Sequence, residues 1–140
     1  MPTVLVADDD PDLAELARRT LVAAGHRVIV ATDGAGALAQ AGAADLAVLD
    51  VSMPVLDGRA VIAHLRSAPH TRDLPIVVLS SQSSASEITA GLDVGADDYL
   101  TKPIVPFELN RRVDRLLATS GVERRVVRRQ SARRRGARTA

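Results

Sequence analysis

Four short runs in the first 120 positions consist mainly of valine, leucine, isoleucine and alanine, and each ends at a polar residue. A fifth short segment, at residues 97–101, has Tyr99 and Leu100 as its large apolar residues and is followed by Lys102. The composition of the four runs is typical of strands that are buried on both faces of a parallel sheet. We therefore predict strands at residues 3–7, 27–31, 45–49, 75–79 and 97–101.

The segments that follow these runs are predicted to be helices, because their apolar residues recur every three or four positions. Asp10 followed by Pro11 is typical of a helix start, with the aspartate as N-cap and the proline in the first turn. Asp33 predicts a small alanine-rich helix, and Asp57 is assigned to a cap or loop. The last of the five helices is predicted at about residues 106–119, with Phe107 among its buried residues.

Five strands that alternate strictly with five helices predict a three-layer α/β fold with a parallel sheet and right-handed crossovers. The alternation by itself leaves the strand order open. A chain of 140 residues has room for one domain with a single core, and we place this domain at residues 1–120.

Polar side chains follow four of the predicted strands at the point where each strand ends. Asp8 and Asp9 follow the first strand, and Asp50 follows the third. Ser80 follows the fourth strand, and Lys102 follows the fifth. The carboxyl ends of parallel strands meet at one edge of the sheet, where ligands bind. Neighbouring carboxylates repel one another unless a cation lies among them, so this set predicts a site for a divalent metal and an anion.

Four stretches of the chain resemble the receiver domain of two-component response regulators. They are VLVADDDP at residues 4–11, LDVSMPVLDG at 49–58, VLSS at 78–81 and GADDYLTKP at 95–103. The resemblance covers residues 3 to about 119. It implies a doubly wound, flavodoxin-like (βα)5 fold whose parallel sheet has the strand order 2-1-3-4-5.

The resemblance also implies roles for individual residues at the acidic site. Asp50 would accept the phosphoryl group. Asp8, Asp9 and Asp50 would bind Mg²⁺ or Mn²⁺, together with the main-chain carbonyl of Ser52. Ser52 and Gln82 would lie beside the path of the water that hydrolyses the phosphate, and because neither is a general base we predict only modest autodephosphorylation.

The remaining roles concern phosphate contacts and a conformational switch. Ser80 and Lys102 would contact the phosphoryl group, and Lys102 is the only lysine in the chain. Ser80 and Tyr99 would form a switch, in which movement of the hydroxyl lets the ring turn inward. The bond between Lys102 and Pro103 is expected to be cis.

We therefore expect a stand-alone phospho-acceptor in two-component signal transduction rather than an enzyme. Its phosphoryl group would come from a histidine kinase or a histidine phosphotransfer protein, and an unknown downstream protein would read its altered surface. A phosphorylation-dependent homodimer is left open. The alternatives are a phosphate-independent pseudo-receiver and an aspartate-nucleophile phosphatase. The complete set of expected residues argues against the first, and the position of Asp50 after the third strand argues against the second.

The formal charge of +1 conceals a strong segregation of charge along the chain. Residues 1–120 carry ten basic and sixteen acidic side chains, a net charge of −6, whereas residues 121–140 carry eight arginines and one glutamate, a net charge of +7. We predict that residues 121–140 form a disordered tail or a helical extension of one or two turns. Such a tail would serve as a linker, as the stub of a longer arrangement, or as a nonspecific anchor for nucleic acid or an acidic partner.

The chain contains no cysteine, which excludes disulfides and thiolate sites and is usual for a cytosolic protein. It shows neither a signal peptide nor an apolar stretch long enough to span a membrane. We therefore expect a cytoplasmic protein without a membrane partner. His26, His64 and His70 have no carboxylate or serine at catalytic spacing, and all three are predicted to be surface residues.

Overall fold

The computed structural model describes residues 1–81, 85–119 and 121–139. Its strands are β1 (Thr3–Ala7), β2 (Arg27–Ala31), β3 (Leu46–Asp50), β4 (Ile76–Ser80) and β5 (Asp98–Thr101). Its helices are α1 (Pro11–Ala23), α2 (Gly34–Gln40), α3 (Gly58–Ser67), α4 (Ala85–Val94), α5 (Pro106–Leu117) and α6 (Gly121–Thr139), and a short 3₁₀ turn covers Ala41–Ala43. The predicted strands agree with these bounds to within one residue.

The five strands form one parallel sheet in the order β2-β1-β3-β4-β5. This confirms the predicted α/β fold and its 2-1-3-4-5 order. The central strands β3 and β4 are buried along their whole length, which explains their uninterrupted apolar sequences. Ala7 lies beside Leu49 in the sheet, so β1 and β3 end next to each other at the same edge.

The core fills both faces of the sheet, because successive residues of a strand point to opposite sides. Leu5 and Leu49 pack on one face with residues of α2 and α3. Val6 and Val48 pack on the other face with residues of α1 and α5. The strand ends that carry the polar residues are therefore held between two packed layers.

Three aspartates that the sequence assigned to caps or loops do cap helices. Asp10 Oδ1 accepts hydrogen bonds from the backbone N–H groups at the start of α1. Asp33 accepts one from the backbone of α2 at 2.7 Å, and Asp57 accepts one from the backbone of α3 at 3.0 Å. These side chains accept hydrogen bonds from backbone N–H groups at helix N-termini. Their role therefore differs from that of the aspartates at the sheet edge.

Two predictions about burial are wrong. Phe107 is 71% exposed. Helix α5 buries Leu109 and Val113, and Phe107 lies about 200° around the helix axis from Leu109, so it faces away from the core. His26 is buried rather than on the surface, and its Nε2 lies 3.8 Å from a carboxylate oxygen of Asp114 on α5. Both outcomes depend on how α5 packs, which the local pattern did not reveal.

The arginine-rich segment is more ordered than the sequence analysis predicted. It forms the 19-residue helix α6 rather than a disordered tail or one or two turns. Arginine and alanine favour helices, and contacts with the rest of the domain supply the stabilisation that an isolated helix of this length lacks. Arg124 donates to the main-chain oxygens of Asp73 at 2.7 Å and Thr119 at 2.6 Å. Val127 lines a cavity of about 120 Å³ beside Tyr99.

Asp97 holds α6 against the amino-terminal edge of the sheet. Its side chain is 3% exposed and accepts from Arg66 at 3.0 Å and from the backbone N–H of Ile76 at 2.9 Å. Its other oxygen accepts from Arg128 of α6. Burial, reinforced by the charges of Arg128 and Arg124, lowers the pKa of Arg66 to about 10 despite the opposing effect of Asp97. Arg66 therefore stays charged at neutral pH, and the cluster depends on the Asp97 carboxylate.

Replacing Asp97 with asparagine tests this anchor. Asp97→Asn leaves two largely buried guanidinium groups, each about 14% exposed, facing a neutral amide. We therefore expect the free energy of unfolding to fall by roughly 2–4 kcal/mol. We also expect trypsin to cleave α6 faster. Urea unfolding and timed proteolysis measure the two effects. The exposed Asp114 serves as the matched control, and equal losses in Asp97→Asn and Asp114→Asn would show that Asp97 is no anchor.

Candidate functional site

The carboxyl-terminal edge of the sheet brings together the three aspartates that the sequence singled out. Asp8, Asp9 and Asp50 each place a carboxylate oxygen within 4.8 Å of the others. Asp8 and Asp50 are buried, whereas Asp9 is exposed. The cluster is therefore a pocket that is closed towards the core and open to solvent on the side of Asp9.

Asp8 is held rigidly at the end of β1. Its backbone N–H donates to the carbonyl of Ala31 at 3.1 Å, which continues the β1–β2 pairing by one residue. Its Oδ1 accepts from the backbone N–H of Asp10 at 2.9 Å. Its Oδ2 lies 3.1 Å from Lys102 Nζ and forms an ion pair with it. The relative orientation of the two groups does not make this contact a hydrogen bond. This buried oxygen thus keeps capacity to bind a further cation.

Lys102 supplies the positive charge that the site requires. Its Nζ donates to Asp50 Oδ2 at 3.0 Å, and its backbone N–H donates to the carbonyl of Ser80 at 2.7 Å. Burial alone would lower the pKa of Lys102, but the hydrogen bonds and charges of Asp50 and Asp8 outweigh burial and raise it. The bond to Pro103 is cis, as expected.

Asp50 lies at the centre of this arrangement. Its Oδ1 accepts from the backbone N–H of Ser52 at 3.0 Å. Burial raises the pKa of Asp50, and the charge of Asp8 adds to this effect, while Ser52 and Lys102 oppose it. The chain folds back over Asp50 at Gly58, where a Cβ would lie 2.3 Å from the Asp50 carbonyl oxygen. Only glycine allows this close approach.

Ser80 and Tyr99 lie on neighbouring strands beside the acidic pocket. Ser80 is buried at the end of β4 and pairs with Thr101 in the sheet, two residues beyond Tyr99. Tyr99 is half-buried, and the guanidinium of Arg112 lies 5.9 Å from the centre of its ring. The sequence analysis missed Arg112, because its contact with Tyr99 depends on how α5 packs against β5. Gln82 lies outside the described residues.

The residues present fit a hard divalent cation. Three carboxylates provide oxygen ligands, and one of their buried oxygens has no hydrogen bond within the described part of the chain. Mg²⁺ and Mn²⁺ favour such oxygen donors. Lys102 faces two of the same carboxylates, so the site also has a cation that could contact a phosphate.

Comparison with known proteins identifies the family of this arrangement. The model of the response regulator receiver domain matches residues 4–114. The transcriptional regulatory protein PrrA of Mycobacterium tuberculosis is 48% identical over 122 residues, which are 86% of this chain and 52% of PrrA. The response regulator MprA of Mycobacterium bovis is 48% identical over 116 residues, which are 81% of this chain and 50% of MprA. The chain thus spans about half the length of these curated relatives.

Solved structures show the same architecture. The receiver domain of the Francisella response regulator 1452 has a TM-score of 0.77 and 38% identity, and the match covers 84% of this chain and 97% of that one. The receiver domain of the sensor histidine kinase PA1611 from Pseudomonas aeruginosa has a TM-score of 0.79 and 28% identity, with 84% and 98% covered. The PA1611 structure has a magnesium ion coordinated in its active-site cleft.

The raised pKa of Asp50 predicts how stability depends on pH in the metal-free protein. A carboxyl group whose pKa is higher in the folded than in the unfolded state destabilises the fold when it is ionised. This effect disappears at a pH at which the group is protonated in both the folded and the unfolded state. We therefore expect Asp50→Asn to raise the free energy of unfolding at neutral pH. The gain should shrink as the pH falls through the raised pKa of Asp50 towards its ordinary value.

Urea unfolding between neutral and acidic pH, with a chelator present, measures this effect. The control is Asp57→Asn, because Asp57 is an exposed N-cap and asparagine caps helices equally well. A neutral-pH loss of stability in Asp50→Asn would mean that the ion pair with Lys102 outweighs burial, contrary to our expectation.

Proposed function

Because the chain belongs to the response regulator receiver domain family, we propose that it is a signalling module that accepts a phosphoryl group on Asp50. Receiver domains are signalling modules rather than conventional enzymes. The observation that carries the proposal is the convergence of Asp8, Asp9 and Lys102 around Asp50 from separate strand ends. The donor would be a histidine kinase or a histidine phosphotransfer protein.

The proposed reaction uses residues that face the pocket. Asp8, Asp9 and Asp50 would hold Mg²⁺, with the main-chain carbonyl of Ser52, and the ion would supply positive charge for the phosphoryl oxygens. An oxygen of Asp50 attacks phosphorus in line as the phosphorus–nitrogen bond of the donor breaks, and the electron pair leaves with the imidazole nitrogen. Lys102 neutralises charge on the equatorial oxygens. Like other phosphoresidues, the product carries about −1.5 to −2 charges near neutral pH.

The new charge would act on the neighbouring strand end. We propose that the Ser80 hydroxyl moves to donate to a phosphoryl oxygen and that the ring of Tyr99 moves into the space this leaves. The surface formed by α4, β5 and α5 then changes, and a downstream partner reads it, with a homodimer as one form of output. For this change, the phosphoryl group needs to stabilise the altered conformation over the original one by only a few kcal/mol.

The proposed domain division places the receiver at residues 1–120 and the arginine-rich segment at 121–140. The contacts of Arg124 and Arg128 with the receiver make the second segment an attachment to this domain. Within the described residues, no helix combines the length and the apolar character needed to cross a bilayer. Because neither Ser52 nor a glutamine such as Gln82 is a general base, the phosphate should be lost only slowly.

Phosphorylation by a small donor tests the proposed function. With acetyl phosphate and Mg²⁺, the wild type should gain about 80 Da, the mass of one phosphoryl group, and Asp50→Asn should not. Intact-mass spectrometry measures the adduct. Asp57→Asn, which changes an exposed carboxylate outside the site, should be labelled like the wild type.

The other outcomes point to the rival functions. Release of inorganic phosphate without an adduct would favour a phosphatase. Neither adduct nor turnover in the wild type would favour a phosphate-independent interaction module. Equal labelling of Asp50→Asn would place the phosphate elsewhere and refute the assignment of Asp50.

The proposed switch can be followed through Tyr99, because the chain has one tyrosine and no tryptophan. Its fluorescence should change when the wild type is phosphorylated, since the ring moves to a different environment. In Ser80→Ala the adduct should still form, but the change in fluorescence should fall to less than half. Ser81→Ala is the matched control, because Ser81 is exposed and adjacent. An unaltered response in Ser80→Ala would exclude Ser80 from the switch.

A further inference from the structure

Helix α6 concentrates positive charge on one part of the molecule. It contains eight of the eighteen basic residues of the chain and a single acidic residue. Its ion pairs with the domain lie at Asp73 and Asp97, which precede β4 and β5 and therefore mark the amino-terminal edge of the sheet. The acidic pocket lies at the opposite edge. The molecule thus has separated negative and positive ends.

The inner face of α6 uses its arginines to hold the helix in place. Arg128 pairs with the buried Asp97. Arg124 donates to the carbonyl of Asp73, and Arg125 lies 3.4 Å from the Asp73 carboxylate. These three arginines are partly buried, and each contacts at least one oxygen of the domain. They fix which face of the helix points outwards.

The outer face carries three further arginines, which we call the arginine ridge: Arg129, Arg133 and Arg134. All three are exposed, and none forms an ion pair with a carboxylate within the described part of the chain. Arg129 and Arg133 are one turn apart, about 6 Å along the helix axis. Arg134 lies about 100° around the axis from Arg133, which widens the ridge. The ridge is therefore an unneutralised group of guanidinium side chains on a helix that is already docked.

The chemistry of the ridge favours phosphate groups on a polymer. Guanidinium binds phosphate through paired hydrogen bonds, and a row of arginines matches a regular row of phosphates. Gln130 and Ala132 are exposed between the arginines, and the larger apolar side chains exposed along α6 are the short valines Val122, Val126 and Val127. The helix therefore lacks the Trp, Phe and Leu side chains typical of helices that insert into membranes. Helix α6 also lacks aromatic residues, which bind single strands by base stacking. These features favour a duplex.

We propose that the arginine ridge is a sequence-independent binding surface for the phosphate backbone of a nucleic acid duplex. The negative charge of residues 1–120 repels the duplex and directs it to α6, which orients the receiver away from the nucleic acid. The binding releases counterions and therefore weakens steeply with salt. It requires no phosphate on Asp50.

Fluorescence polarisation of the 140-residue chain with a labelled duplex of about 20 base pairs tests the proposal. Three phosphate contacts predict that affinity falls roughly 40-fold between about 50 and 200 mM salt. In the double variant R129Q/R133Q, one contact remains, and the fall should be only about fourfold. A second duplex of unrelated sequence should bind within about threefold of the first, since phosphate contacts carry no sequence information.

The control is the double variant R27Q/R59Q, which removes the same charge from two exposed arginines outside α6. It should keep the steep salt dependence of the wild type. Circular dichroism checks that each variant melts like the wild type. The proposal is wrong if the wild type does not bind the duplex at low salt, or if both double variants lose the same salt dependence. It is also wrong if the wild type binds phosphatidylserine vesicles but not the duplex, because the ridge would then recognise a lipid surface.

Discussion

Two buried carboxylates on adjacent strands depend on one ammonium group. Asp8 and Asp50 would repel each other strongly in the interior, and Lys102 Nζ lies about equally close to both, at 3.1 and 3.0 Å. The pairing of β1 with β3 forces the two aspartates together, and packing on both faces prevents the strands from separating. The strands therefore hold two carboxylates and one ammonium group in contact, an arrangement that suits a metal ion and a phosphate.

The same kind of balance occurs at the other end of β5. Asp97 precedes this strand and pairs with Arg66 and Arg128, whereas Lys102 follows it and pairs with Asp8 and Asp50. Only four residues separate the two clusters, and Tyr99 is one of them. Tyr99 also borders the cavity beside α6. Movement of β5 caused by a change at the pocket would thus reach a surface that α6 partly covers.

Charge segregation gives the two ends of the molecule different chemistry. The carboxylates of the pocket at the carboxyl-terminal edge suit a divalent metal cation, which would in turn attract a phosphoryl group. The opposite edge anchors a helix whose outer arginines attract anions directly. Since the domain contains few aromatic residues, its core is built from aliphatic side chains, and recognition at both ends relies on charge and hydrogen bonding.

Local patterns in the sequence determined the elements and much of the candidate site. Apolar runs and capping aspartates are local signals, and parallel strands bring their carboxyl ends together whatever their separation in sequence, so Asp8, Asp50 and Lys102 were predictable. Tertiary packing decided the rest. The exposure of Phe107, the contact of Arg112 with Tyr99 and the length of α6 depend on how helices dock on the sheet. Residues distant in sequence set that docking, and no local pattern encodes it.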